Sequence, residues 1–159
     1  VQGVALGGGA GLVSCADHVI AEPDTRIALS EGKLGILPAV IGPYVYRKIG
    51  SSQFRRLSIL ASRLDSAEAL RIGWVNELVE DKNNFEEACR GLIENLLTTG
   101  PMAVYESKKL TLEFDRWTGS DEGLRAWTLE KTSEMRESDE GQEGLSAFLE
   151  RRPPDWSPE

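Results

Sequence analysis

Three consecutive glycines, Gly7, Gly8 and Gly9, constrain the fold of this chain more than any other feature. They follow residues 4–6, which are apolar and predict a buried strand. They precede residues 10–16, which are small and apolar enough for a closely packed helix. Because glycine lacks a Cβ, such a turn lets backbone N–H groups approach a polarised or anionic oxygen at the positive end of a helix dipole. The turn therefore predicts an oxygen-binding site or, alternatively, close packing of strand against helix without a ligand.

The remaining pattern predicts an α/β chain whose strands come early and whose helices come late. Further strands are predicted at residues 18–21, 26–30 and 75–79, and an irregular apolar loop at residues 35–42. The predicted helices cover residues 44–49 (ending at Gly50), 51–60, 66–72, 84–97, a segment from Pro101 through Leu110, 121–135 and 140–151.

Charge and cysteine content exclude several classes of protein. The 159 residues carry 18 basic and 26 acidic side chains, a net charge of −8, which disfavours a nucleic-acid partner. Every apolar run falls short of the roughly 18–20 residues that cross a bilayer, so no membrane partner is expected. Cys15 and Cys89 lie far apart without metal-ligand spacing, which predicts neither a disulfide framework nor a metal site.

The glycine turn fits none of the common phosphate or hydrolase motifs. Counted from Gly7, the sixth position is Leu12, so the dinucleotide fingerprint fails, and no Gly-Lys-Ser/Thr triplet follows a glycine loop. A serine triad is disfavoured because the sequence has no Gly-x-Ser-x-Gly and one histidine, His18, which we interpret as structural. The better interpretation is an oxyanion hole, which stabilises negative charge on a carbonyl oxygen.

An oxyanion hole needs an acid or base nearby, and Glu31 is the candidate. It lies where a predicted strand, ending at Ser30, gives way to the apolar loop at residues 35–42. A carboxyl group in apolar surroundings is suited to general acid–base chemistry. By itself, however, a glutamate at this position would more often be a surface side chain.

Several short segments, taken in their order along the chain, resemble the crotonase family of enoyl-CoA hydratases and isomerases. The first matching segments are Leu6-Gly7-Gly8-Gly9 with Asp17, Ser30-Glu31, and Leu34-Gly35-Ile36-Leu37-Pro38. The later ones are Arg47-Lys48-Ile49-Gly50, Asp65-Ser66-Ala67-Glu68-Ala69, Ile72-Gly73-Trp74-Val75, Val79, Glu143-Gly144 and 147–153. The resemblance covers essentially the whole chain and corresponds to about the C-terminal 60% of a family member.

The resemblance implies an α/β fold, a spiral of ββα units over residues 1–98, followed by trimerisation helices over residues 99–159. It implies that the amide of Gly8 donates to the thioester carbonyl, that Glu31 is the acid/base residue, and that the amide of Ala39 positions a catalytic water. The implied partners are an acyl-CoA substrate and further copies of the chain in a homotrimer or hexamer. No cofactor is expected, because coenzyme A is part of the substrate.

One departure bears on the reaction. Typical hydratases place a second glutamate two residues after the glycine triplet, where this chain has Gly11. A single glutamate suits the proton shift of an enoyl-CoA isomerase. Residues 9–13 and 38–45, however, resemble the corresponding segments of hydratases that act on branched or glutaconyl-type acyl-CoAs. The sequence therefore favours a hydratase of that type, with an isomerase or a non-catalytic acyl-CoA-binding member of the family as alternatives.

The N-terminal residues suggest that the chain continues upstream. Val1 stands at the start of an apolar segment with neither an initiator methionine nor a signal-type leader, so we expect further residues before it. By the resemblance they would hold the second oxyanion amide. The expected compartment is the bacterial cytoplasm or the mitochondrial matrix.

Overall fold

The computed structural model describes residues 1–158, and the chain divides into two units, Val1–Arg90 and the residues from Gly91 onward. The sequence predicts a different division, between a spiral core at residues 1–98 and a trimerisation region at residues 99–159. That division stays a prediction. Strands occur in the first unit, whereas the described part of the second unit is helical.

The first unit alternates short strands with helices. Its strands are β1 (Val4–Leu6), β2 (Ile20–Ala21), β3 (Arg26–Ala28), β4 (Leu64–Asp65) and β5 (Glu77–Leu78). Its helices are α1 (Gly8–Ser14), α2 (Gly42–Leu60) and α3 (Ser66–Arg71), with 3₁₀ helices at Ser30–Leu34 and Lys82–Asn84, and α4 (Phe85–Leu97) crosses into the second unit. One sheet has the order β1-β3-β4, and a second pairs β2 with β5.

Parallel pairing of β1 with β3 brings the glycine turn beside the Glu31 segment. Leu6 pairs with Ala28 at the last position of both strands, so the segments that follow the two strands leave the sheet at the same edge. The N–H of Gly7 extends this pairing by donating to the carbonyl oxygen of Ala28 at 3.0 Å. Two segments more than twenty residues apart in sequence therefore become neighbours.

A buried tryptophan holds α1 against the core. Trp74 is fully buried, and its Nε1 donates to the hydroxyl of Ser14 at 2.8 Å. That hydroxyl in turn donates to the carbonyl oxygen of Ala10 at 2.8 Å, so both polar groups are satisfied inside the protein. This contact anchors the C-terminal half of α1, whose other end carries the glycine turn.

Several predicted element boundaries differ from the structure: the helix predicted at residues 10–16 covers Gly8–Ser14, and the strand predicted at residues 18–21 covers Ile20–Ala21. The strand predicted at residues 26–30 ends at Ala28, because the chain turns into the Ser30–Leu34 helix, which Gly35 terminates with a φ of 70°. The strand predicted at residues 75–79 covers Glu77–Leu78 alone. By contrast, the predicted helix end at Gly50 is confirmed as a break within α2, since Gly50 has φ 75° and ψ 166°.

Helices α5 (Pro101–Phe114), α6 (Asp121–Glu137) and α7 (Asp139–Glu150) make up most of the second unit. The side chain of Ser138 caps α7 by accepting from the N–H of Gly141 at 3.0 Å. The carboxylate of Glu140 caps α5 by accepting from the N–H groups of Met102 and Ala103, both at 2.8 Å. No helix in the described part of the chain is long and apolar enough to span a membrane.

An ion pair between Glu143 of α7 and Arg152, just after that helix, makes the second unit sensitive to acid. The guanidinium of Arg152 donates to both carboxylate oxygens of Glu143, at 2.5 and 2.7 Å, and lowers the pKa of Glu143 to about 2. This pKa lies below the ordinary value of 4.5. The ion pair therefore contributes fully to stability above pH 4.5, and its contribution disappears as the pH falls towards 2. Glu143→Gln should therefore flatten the fall in Tm between about pH 5 and pH 2.

Thermal unfolding of both proteins across that pH range provides the measurement. Glu137→Gln is the matched control, since Glu137 is an exposed carboxylate at the end of α6. The control should retain the wild-type pH dependence. An equally steep fall in Tm for Glu143→Gln would contradict the assigned role of the ion pair.

Candidate active site

The glycine turn presents a backbone amide in open space. Gly7 has φ 51° and ψ −117°, a backbone conformation that residues with a Cβ rarely adopt. The next residue, Gly8, is the first residue of α1. The first N–H groups of a helix have no acceptor within it, so the N–H of Gly8 is available to an outside oxygen. Gly8 is exposed, and a Cβ built on it would have no atom within 4 Å, so a ligand can approach closely.

Glu31 lies in the first turn of the Ser30–Leu34 helix, with its carboxylate against the glycine turn. A Cβ on Gly7 would lie 3.4 Å from Oε1 of Glu31 and 3.5 Å from the hydroxyl of Ser30. Oε2 is buried and has no hydrogen-bond partner in the described part of the chain. Since buried polar atoms are nearly always paired, an unpartnered carboxylate oxygen at this point indicates a group held ready for a ligand or a proton.

The structure thus places Glu31, predicted from the sequence, against Gly7, which directly precedes the predicted Gly8. Gly7 was predicted as part of the turn but not as the residue facing the carboxylate. Its positive φ disfavours a side chain there. The glycine triplet signalled the unusual backbone, whereas the contact depends on the pairing of β1 with β3.

Gly11, the site of the missing second glutamate, is buried against Ile41. A Cβ on Gly11 would lie 2.4 Å from Cγ2 of Ile41, far inside van der Waals contact. Sequence reasoning missed Ile41, and the sequence gives no signal that this residue meets Gly11. The described residues therefore bring no second carboxylate to the site from this position.

Ala39, the predicted water-positioning residue, is exposed and follows the buried Pro38, three residues before α2. It lines an open, mainly apolar groove of about 560 Å³. The other groove residues include Leu37, Pro38, Pro43, Tyr46, Phe54 and Ile59. Its role in positioning a water stays a prediction.

The other reactive side chains of this unit are a histidine and two cysteines. His18 is exposed, and its Nε2 lies 3.6 Å from Oε2 of Glu77. Cys15 and Cys89 are free thiols. Among residues 1–158 no group of three or more potential ligands could hold a metal ion.

Comparison with known proteins identifies a family over the whole chain. The family model described as enoyl-CoA hydratase/isomerase matches residues 1–159. A carnitinyl-CoA dehydratase from Salmonella arizonae is 33% identical over 160 residues, which cover 98% of this chain and 60% of the relative. The chain thus spans about 60% of the length of the curated relatives it matches.

Solved structures give the same result for the fold. An enoyl-CoA hydratase from Shewanella pealeana superimposes with a TM-score of 0.91 at 37% identity, covering 98% of this chain and 57% of the other. Pseudomonas aeruginosa AtuE superimposes with a TM-score of 0.91 at 38% identity, covering 98% and 60%. The predicted crotonase-type α/β fold is therefore confirmed.

Proposed function

The chain belongs to the enoyl-CoA hydratase/isomerase family, and we propose that the complete protein is a hydratase of a branched or glutaconyl-type enoyl-CoA. The observation that carries this proposal is the buried, unpartnered Oε2 of Glu31 beside the glycine turn. A relative named for the removal of water from an acyl-CoA supports a reaction that adds or removes water.

In the proposed mechanism the N–H of Gly8 donates to the thioester carbonyl oxygen. When water attacks C3 of the enoyl group, negative charge develops on that oxygen, and the amide stabilises it. Glu31 takes the proton from the attacking water and delivers a proton to C2, so that one carboxyl group acts first as base and then as acid. We expect a second oxyanion donor from another part of the complete protein.

The substrate class rests on sequence likeness and on the surroundings of Ala39. The groove after Pro38 is mainly apolar, which suits a branched acyl group, and the amide of Ala39 is our candidate for holding the attacking water. A carboxylate carried by the substrate itself would replace the second glutamate. The reaction needs no cofactor, because coenzyme A enters as part of the substrate.

A second candidate function is the shift of a double bond along the acyl chain. It is favoured by Gly11, where no second carboxylate is present to share the work of activating water. Glu31 alone can remove a proton from C2 of a 3-enoyl thioester and return it to C4, which gives the 2-enoyl product.

We further propose that the complete protein forms a homotrimer or hexamer. Helix α7 supports this, because Phe148 and Leu149 near its end are 80% and 78% exposed, and large apolar side chains on a surface suit contact with another subunit. The relatives described above come from bacteria, and the compartment that we propose is the bacterial cytoplasm or the mitochondrial matrix.

Incubation of the complete protein with 2-enoyl-CoA and 3-enoyl-CoA thioesters, linear, branched and glutaconyl-type, distinguishes these functions. Mass spectrometry of the products should show the gain of one water on the branched or glutaconyl-type 2-enoyl substrates. Isomerised product of unchanged mass would favour the second candidate. Binding of acyl-CoA without any product would contradict both and leave a non-catalytic member of the family.

A further inference from the structure

Two glycines of the α1 segment, one turn apart, each stand against a side chain from another segment. The N–H of Gly11 donates to the carbonyl oxygen of Gly7 at 3.1 Å, which fixes their spacing along the helix. Gly7 faces the carboxylate of Glu31, and Gly11 faces Ile41. Residues four apart in a helix lie about 5–6 Å from each other. Ile41 therefore meets α1 one turn beyond the point where Glu31 meets it.

Ile41 occupies the volume that a side chain at residue 11 would need. A Cβ on Gly11 would lie 2.4 Å from Cγ2 and 2.7 Å from Cβ of Ile41. These are atoms close to the Ile41 backbone, not the far end of a flexible side chain, and a β-branched residue has little rotamer freedom. Rotation of the side chain alone therefore cannot relieve the overlap.

The backbone of Ile41 is also fixed. Its carbonyl oxygen accepts the N–H groups of Tyr44 and Val45, both at 3.1 Å, in the first turn of α2. Its side chain is half-buried and packs against the hydrophobic core. Moving Ile41 away from Gly11 would disturb the start of α2 as well as the core, so residue 11 is restricted to glycine.

We infer that Ile41 is a specificity-determining residue that limits the site to the single carboxylate of Glu31. It does so by excluding every side chain from residue 11 and by placing an apolar wall one helical turn from the carboxylate. This inference rests on the proposed function. It ties the choice between adding water and shifting a double bond to one apolar contact between α1 and the start of α2.

A double-mutant cycle on thermal unfolding tests the contact. Gly11→Ala should lower the Tm of the complete protein by about 5 °C or more, because the added methyl overlaps Ile41. In the I41G background, which also removes the Cβ that would lie 2.7 Å away, the same change should lower the Tm by less than half as much. Gly9→Ala is the matched control in the same helix, since its Cβ would have one neighbour, Cβ of Ala5, at 4.0 Å. It should leave the Tm unchanged or raise it.

The product ratio tests the consequence for the reaction, which a purely structural contact would not alter. I41G with G11E should raise the ratio of water addition to double-bond migration at least about tenfold over I41G alone. G11E alone should be strongly destabilised and should not show this gain. The ratio is measured in one reaction mixture by mass spectrometry.

The outcomes separate this inference from the proposed function. An additive Tm cycle, or an unchanged product ratio in an active double variant, would contradict the inference and leave the proposed function intact. A wild-type protein that turns over no enoyl-CoA would contradict the proposed function, and the role of Ile41 in the reaction would fail with it.

Discussion

Glu31→Gln should reduce turnover of the enoyl-CoA substrate by roughly 100- to 10,000-fold, the range expected when a general acid–base group is lost. The amide cannot accept the proton that the proposed mechanism requires. It nearly matches the carboxyl group in shape, so the packing beside Gly7 is preserved. Because Oε2 is buried without a partner in the described part of the chain, the substitution should leave the Tm unchanged or raise it.

Steady-state kinetics and thermal unfolding of the complete protein test both parts of this prediction. Glu80→Gln is the matched control, because Glu80 is exposed and follows the buried Val79 near β5. It should retain wild-type turnover. Full activity in Glu31→Gln, or a loss of activity that merely follows a large fall in Tm, would contradict the assigned role of Glu31.

Gly8→Pro should reduce turnover by about 100- to 1000-fold through loss of one oxyanion donor. Proline removes the backbone N–H, and it is well tolerated at the first position of a helix, which Gly8 occupies in α1. The fold should therefore survive, and the loss should appear in kcat, since the donor acts most strongly on the charge that develops during the reaction.

Gly8→Ala separates the amide from the steric effect of a side chain. It keeps the N–H, and its Cβ would have no protein atom within 4 Å. The activity of Gly8→Pro relative to Gly8→Ala thus measures the contribution of the N–H group. Equal activity in the two variants would show that the amide of Gly8 is not an oxyanion donor.

The local parts of this fold follow from the sequence. Gly7 to Gly9 predict the turn, the helical pattern at residues 84–97 matches α4, and Gly50 marks the break in α2. The order of the motifs also selects Glu31, whose catalytic role stays a prediction. These features depend on backbone conformation and periodicity within a few residues, which a sequence displays directly.

The contacts that define the site are non-local and did not follow from the sequence. The register of β1 against β3 sets Glu31 beside Gly7, and it depends on residues more than twenty positions apart. The packing of Ile41 on Gly11 joins two helices, and a missing Cβ at residue 11 does not indicate which side chain fills the space. The cap that Glu140 provides to α5 spans almost forty residues and leaves no local pattern.

Exchange of solvent deuterium into C2 of the bound acyl group tests the central claim most directly, because both candidate reactions require Glu31 to carry a proton to or from that carbon. In deuterium oxide, the complete wild-type protein should incorporate deuterium at C2, as measured by mass spectrometry of the recovered thioester. Glu31→Gln should reduce the rate of incorporation by at least about 100-fold. Incorporation at the wild-type rate in Glu31→Gln would contradict the account.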